Sequence, residues 1–209
     1  MGTPYSVNMT DLIEPDLEDF LACRQFATRS EVLSANSPVP ASAGVYGWWF
    51  EEIPPGVPIE SCMVRDGRTL LYVGISPKAF PRNGVKPSSE SLRTRVRYHY
   101  GGNAEASTLR LSLGVLLAPV IGTQLRRVGS GKRRTFSKGE EALSAWMGEH
   151  AFVTWLDVPA PWELEERLIG HLDLPLNLAG YSSHPFHSEL AVMRKAARQV
   201  ADSLPVLPA

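Results

Sequence analysis

The order of periodicities along the 209 residues predicts a small α/β sheet domain carrying helical additions. Three observations carry that reading. Two runs rich in aromatic and β-branched residues, GVYGWWFEEI at 44–53 and RTLLYVGIS at 68–76, read as strands separated by the Pro-rich bend EIPPGVP. A third run of the same character, AFVTWLDV, stands far downstream at 151–158. Between and after these runs the apolar residues recur at helical spacing, in LRTRVRYHY at 92–100 and PWELEERLIGHL at 161–172 above all.

The remaining elements fall into place around them. Residues 1–41 read as an acidic helical lead-in, DLIEPDLEDFLACRQFA, followed by the Ser/Pro linker SANSPVPASA. The sheet domain occupies 42–180, with a basic helical insert at about 102–149 that holds a helix near 107–118, ended by Pro119, and a second helix, EEALSAWMGEH. Between those helices VGSGKRRTFSKG, 128–139, reads as a loop. Pro161 opens the next helix in the first-turn position that proline favours. A loop and a closing helix, SELAVMRKAARQVADSL, make up 181–209 and pack on the same domain.

Composition narrows the function classes. An apolar fraction of 44% with 21% charged residues describes a folded chain. Cys23 and Cys62 stand far apart in no metal or redox spacing, the usage of a reducing cytoplasm. The acidic N-terminus lacks the basic segment and apolar run of a signal peptide, and the longest apolar stretch, LSLGVLLAPVIG, is too short to cross a bilayer. The expectation is a cytoplasmic protein without a membrane partner. Net charge is −1, but residues 78–138 carry thirteen Lys or Arg against two Glu, while the rest carries eight basic and twenty acidic side chains. That asymmetry marks a polyanion-binding face or a solvated basic loop.

Within LRTRVRYHY the flanks decide for a helix, since Ser88, Ser89, Glu90 and Ser91 offer caps and Gly101–Gly102 a stop. Leu92, Val96 and Tyr100 then form the apolar stripe, Arg93 and Arg97 point away, and Arg95 and His99 share the shoulder of the stripe. A guanidinium beside a buried face calls for an anion. In PWELEERLIGHL, Glu165 lies three before Leu168 and four before Ile169, so it projects toward the inward stripe, where Glu163 and Glu166 do not. Such a carboxylate could hold a divalent cation, pair with Arg95, or simply offset the helix dipole. Tyr46 and Tyr72 sit on the two strand runs, each close to a glycine that permits near backbone approach; as tyrosines on strands they also suit a core.

Taken in order, GVY, YVG, LRTRV and EERLIGHLDLPLN resemble the GIY-YIG nuclease superfamily over about residues 42–178. The resemblance implies a small three-stranded, mainly antiparallel sheet flanked by helices, and a site made of Tyr46, Tyr72, Arg95, His99, Glu165 and Asn177. It implies one divalent metal, Mg²⁺ or Mn²⁺, held by Glu165, with Arg95 gripping the scissile phosphate. Tyr46 serves as general base, or orients water while His99 takes the proton. Tyr72 would hydrogen-bond phosphate or water, and Asn177 would fix the site geometry. The products would be a 5′-phosphate and a 3′-hydroxyl. Twenty-five residues separate Tyr46 from Tyr72 here, a wider spacing than in many members and closer to the restriction-enzyme branch.

Nucleic acid, DNA more than RNA, is the expected partner, met by Arg93, Arg97, Arg110, Lys132, Arg133 and Arg134 beside the site. A homodimer or a further protein partner would be compatible with cutting two strands. Two other readings stand beside the nuclease: a nucleic-acid-binding module of the same fold without cleavage, and a protein-interaction domain. His184-Pro185-Phe186-His187 reads either as half of a second metal site or as a loop packing its phenylalanine.

Overall fold

A computed structural model of the protein describes residues 15–78, 89–178 and 183–208. The start of the acidic lead-in, the expected cap Ser88 and the middle of the loop before the last helix lie outside the described residues. The elements in chain order are α1 Pro15–Ala22, α2 Arg29–Leu33, β1 Gly44–Phe50, β2 Val64–Arg65, β3 Arg68–Ser76, α3 Leu92–Gly101, α4 Thr108–Leu116, α5 Ala118–Ile121, β4 Arg126–Val128, β5 Arg133–Thr135, α6 Gly139–His150, β6 Ala151–Asp157, α7 Pro161–His171 and α8 Pro185–Ser203.

The main sheet runs β2-β3-β1-β6, with every neighbouring pair antiparallel. It has four strands where three were expected. The additional β2 is two residues long and folds back onto β3 through Asp66–Gly67, both at positive φ (48° and 75°). Asp-Gly in that conformation matches the right-handed twist of a tight hairpin.

β1 is buried along its whole length because both faces of the sheet are covered. On one face Tyr46, Trp48 and Phe50 meet Val96 and Tyr100 of α3, Leu109 and Leu113 of α4, and Leu143 and Met147 of α6. On the other, Val45, Trp49, Leu70 and Val73 meet Leu17 and Phe20 of α1 and Leu164 and Leu168 of α7. The alternation of β1 is therefore apolar on both sides, and each such side chain contributes about 1.5–3 kcal/mol on leaving water. A bulge opposite Trp48/Trp49 adds Leu71 to β3, so that Tyr72 faces Trp48 and stands on the same side as Tyr46.

Two features of the insert differ from expectation. Pro119 sits in the first turn of the short α5, where its missing N–H is not needed, instead of only closing the preceding helix. The segment read as a loop forms the hairpin β4–β5, turned by Gly129 and Gly131 at positive φ. That hairpin grips the end of α8: Arg127 donates to the carbonyls of Ala201 and Leu204, and the Leu207 N–H donates to the Arg127 carbonyl. Among the described residues no helix is long and apolar enough to cross a membrane.

Candidate active site

Helix α3 carries two polar side chains into the interior. Ser91 caps it, its hydroxyl accepting the Thr94 N–H, and the first free N–H groups go to the linker carbonyls Ser42 and Pro40. This anchoring sets the helix phase. Arg95 and His99, four apart, then face β1 and β3 on the tyrosine side, with Arg95 at 5% exposure and His99 at zero.

His99 Nε2 is 2.9 Å from Tyr46 Oη, and Nδ1 is 2.8 Å from Ser107 Oγ, the N-cap of α4. Arg95 donates Nη1 to the Ala106 carbonyl at 3.1 Å and stands 4.0 Å from Glu90, and its charge is felt at Tyr46. Tyr72, its ring centroid 6.5 Å from that of Tyr46, lines the neighbouring cavity together with Thr108. Gly74 faces Tyr46 across the ladder, and a Cβ there would meet Tyr46 Oη at 2.6 Å. The glycine beside the second tyrosine thus makes room for the first.

Charge follows burial here. Burial holds Tyr46 well above the ordinary phenol range, more strongly than Arg95 lowers it, and raises Tyr72 as well. Burial, helped by Arg95 and Arg110, holds His99 well below its ordinary value. The pair is a neutral phenol against a neutral imidazole.

Beside this pair opens a cavity of about 370 Å³ lined by Tyr72, Thr108, Glu165, Asn177, Arg194 and Arg198, among others. Glu165 is the only carboxylate among its described lining residues, and burial pushes it up to about 7. No ion pair joins Glu165 to any described residue, Arg95 included. Its charge is nonetheless felt at Tyr46 and Tyr72, which places the carboxylate in the same site. Among the described residues no three His, Cys, Asp or Glu gather to hold a metal. Glu165 is the one described carboxylate oxygen donor that this cavity offers a cation.

Asn177 works at one remove. Its Oδ1 accepts the Val73 N–H and its Nδ2 donates to the Val73 carbonyl, each at 2.9 Å. The amide closes the free edge of β3 between Tyr72 and Gly74 as a strand would, and keeps neither group for substrate.

The basic residues expected at nucleic acid separate into two sets. Arg110 is fully buried: it donates to Glu140 at 2.7 Å, to the carbonyls of His99 and Tyr100, and to Ser144. It is a structural cation and is removed from the expected contact surface, because its donors are consumed inside. Arg93 Nε donates to the Val39 carbonyl, and Arg97 donates to those of Val32 and Ser34, so both bind the linker and α2 to α3. Arg134 forms a forked pair with Asp202 at the surface. Lys132 and Arg133 are exposed on the β4–β5 hairpin.

His184 caps α8 and meets Asp173 at 2.7 Å, His187 meets the Leu178 carbonyl, and Phe186 between them is buried. The two histidines point to separate partners, so the packing reading of this loop replaces the metal one. Arg194, Arg198 and Thr108 were not picked out from the sequence. Arg194 lies four residues after the buried Leu190, the same spacing argument that singles out Glu165.

No curated protein and no solved structure is significantly similar to the chain. Residues 44–196 match the GIY-YIG catalytic domain. The match covers well over half of the chain and takes in all six motif residues, the insert and the first half of α8. The chain belongs to the GIY-YIG family, a family of nucleases that hydrolyse phosphodiester bonds.

Proposed function

We propose that the protein is a metal-dependent endonuclease that hydrolyses phosphodiester bonds of nucleic acid, DNA in preference to RNA. The observation that carries this reading is the carboxylate of Glu165. It is half-buried beside Tyr72, without a cationic partner among the described residues. A structural glutamate would be paired or solvated; a carboxylate kept ready for a cation is neither.

When bound at Glu165, Mg²⁺ or Mn²⁺ supplies the positive charge that polarises the phosphate and makes a neighbouring phenol more acidic. The protein's own groups do the rest. Arg95, held by Ala106 and oriented beside Tyr46, offers its planar fork to a non-bridging oxygen and stabilises the charge gathered there in the transition state. Tyr46 is the group nearest to His99 that faces the site. His99 has no exposure; Ser107 Oγ holds Nδ1 and Tyr46 Oη holds Nε2, so Tyr46 is the partner that can carry a proton between the imidazole and the tyrosine side of the site. Burial, with the positive surroundings, holds His99 neutral, so its Nε2 can accept the proton that Tyr46 Oη gives up as the phenol takes one from the attacking water, and Tyr46 acts as the base through the imidazole. Tyr72 orients water or phosphate at the mouth of the cavity. Asn177 fixes Tyr72 through the backbone of β3.

The test is cleavage of supercoiled plasmid, single-stranded DNA and structured RNA by the purified protein with Mg²⁺, Mn²⁺ or EDTA. Metal-dependent cutting that leaves 5′-phosphate and 3′-hydroxyl ends supports the reading and names the polymer. Binding without cutting on every substrate would leave a nucleic-acid-binding module of this fold in its place.

A further inference from the structure

We infer that Arg194 and Arg198 of α8 form a second phosphate subsite, which binds the phosphodiester next to the scissile one along the same strand. The inference rests on the nuclease reading for its substrate, and Arg194 and Arg198 lie outside the motif residues.

Arg194 is 9% exposed, its Nε is buried without a hydrogen-bond partner, and no described carboxylate pairs with it. In the first cavity it stands among Tyr72, Thr108, Glu165 and a second guanidinium, Arg198. Burial and that like charge push Arg194 down to about 10. A buried, unpaired guanidinium is among the most unfavourable arrangements a core can hold, and its complement is an anion from outside.

The two arginines are the wall between two cavities. The first, described above, holds Tyr72 and Glu165; the second, of about 250 Å³, holds Leu125, Arg134 and Glu105, whose carboxylate accepts the Arg134 N–H at 2.7 Å. Thr108, Arg194 and Arg198 line both. Thr108 is the first residue of α4, so the positive end of that helix faces the same passage. A strand with its scissile phosphate near Glu165 and Tyr72 that continues into the second cavity passes both guanidiniums. A phosphodiester supplies the planar-fork acceptor that arginine matches best, and the hairpin β4–β5 fixes α8 in place by its grip on Ala201 and Leu204.

Binding measured without turnover tests this directly. A fluorescently labelled oligonucleotide, single-stranded or duplex, DNA or RNA, is titrated in EDTA at several salt concentrations with wild type, Arg194→Met and Arg198→Ala. Each substitution is expected to weaken binding by roughly tenfold at low salt and to lower the slope of log affinity against log salt by about one. The melting temperature of Arg194→Met is expected to stay level or rise, since an apolar side chain of similar length replaces an unpaired charge. Variants that bind as wild type, or a wild type that binds none of the polymers, overturn the subsite. So does loss of binding in Arg194→Met that comes with a fall in melting temperature while exposed Arg198→Ala binds normally. Arginine-dependent binding without metal-dependent cutting would keep the subsite and reject the nuclease; cutting with unaltered binding by both variants would do the reverse.

Discussion

Tyr46 Oη and His99 Nε2 stand 2.9 Å apart in the interior, both neutral and both shut off from bulk water. The phenol is the imidazole's route toward Tyr72 and the cavity beside it, while the other ring nitrogen is held by Ser107 Oγ. Tyr46→Phe removes that route while keeping the ring that packs β1 against α3. The expected result is a loss of about 10²-fold or more in kcat with little change in KM, and a melting temperature close to wild type. Steady-state cleavage kinetics beside a thermal melt check it; a variant that retains wild-type kcat would move the base elsewhere.

Gly74→Ala probes the same group by steric means. A Cβ at this position lies 2.6 Å from Tyr46 Oη and 3.0 Å from Tyr72 Cε1, and both rings are held by neighbours. The tyrosines must shift, with a destabilisation of about 1–3 kcal/mol, the usual range for overpacking. Cleavage should fall by more than that destabilisation explains when assayed well below the melting temperature.

The two kinds of basic residue in the middle of the chain should separate in a urea melt. Arg110→Ala leaves the half-buried Glu140 without its cationic partner and strips donors from two carbonyls, an expected loss of about 3–5 kcal/mol. Arg133→Ala, at an exposed hairpin position, should change stability by no more than about 0.5 kcal/mol. A near-neutral Arg110→Ala would contradict the structural role assigned to it.

Glu165 sets a pH dependence in metal-free protein. Its folded-state value of about 7 lies above its ordinary 4.5, so burial favours the protonated form. The stability associated with that proton is complete below the ordinary value and is lost as pH rises through about 7. Glu165→Gln stays neutral throughout. The variant should match wild type below about pH 4 and exceed it by on the order of 3 kcal/mol above pH 8, read by denaturant melts in EDTA. Equal curves at both ends would show that the carboxylate is solvated.

Much of the fold is legible from local pattern. β1, β3, β6, α3 and α7 follow from aromatic runs, helical stripes and the caps Ser91 and Pro161, all of which act within a few residues. The two-residue strand β2 escapes that reading because it is too short for any periodicity; the Asp66–Gly67 dipeptide is the local sign of its hairpin. The β4–β5 hairpin is hidden for a related reason, since its strands are arginine-rich and acquire their partners from α8. Long-range contacts decide the arginines. Arg110 sits on a helix stripe beside Leu109 and Leu113, but what makes it structural is Glu140, thirty residues away. Arg194 shares the stripe of Leu190, and only the docking of α8 beside α4 shows that this stripe opens on Glu165 and Tyr72.

If Glu165 serves phosphodiester cleavage and not the scaffold, removing its charge abolishes cutting and leaves the fold intact. Plasmid nicking by wild type and by Glu165→Gln, purified in parallel and compared at equal folded concentration with Mg²⁺ present, tests it most directly. The account predicts cutting by wild type and loss of about 10³-fold or more in a variant that melts at or above the wild-type temperature. Nicking by Glu165→Gln at the wild-type rate would contradict it.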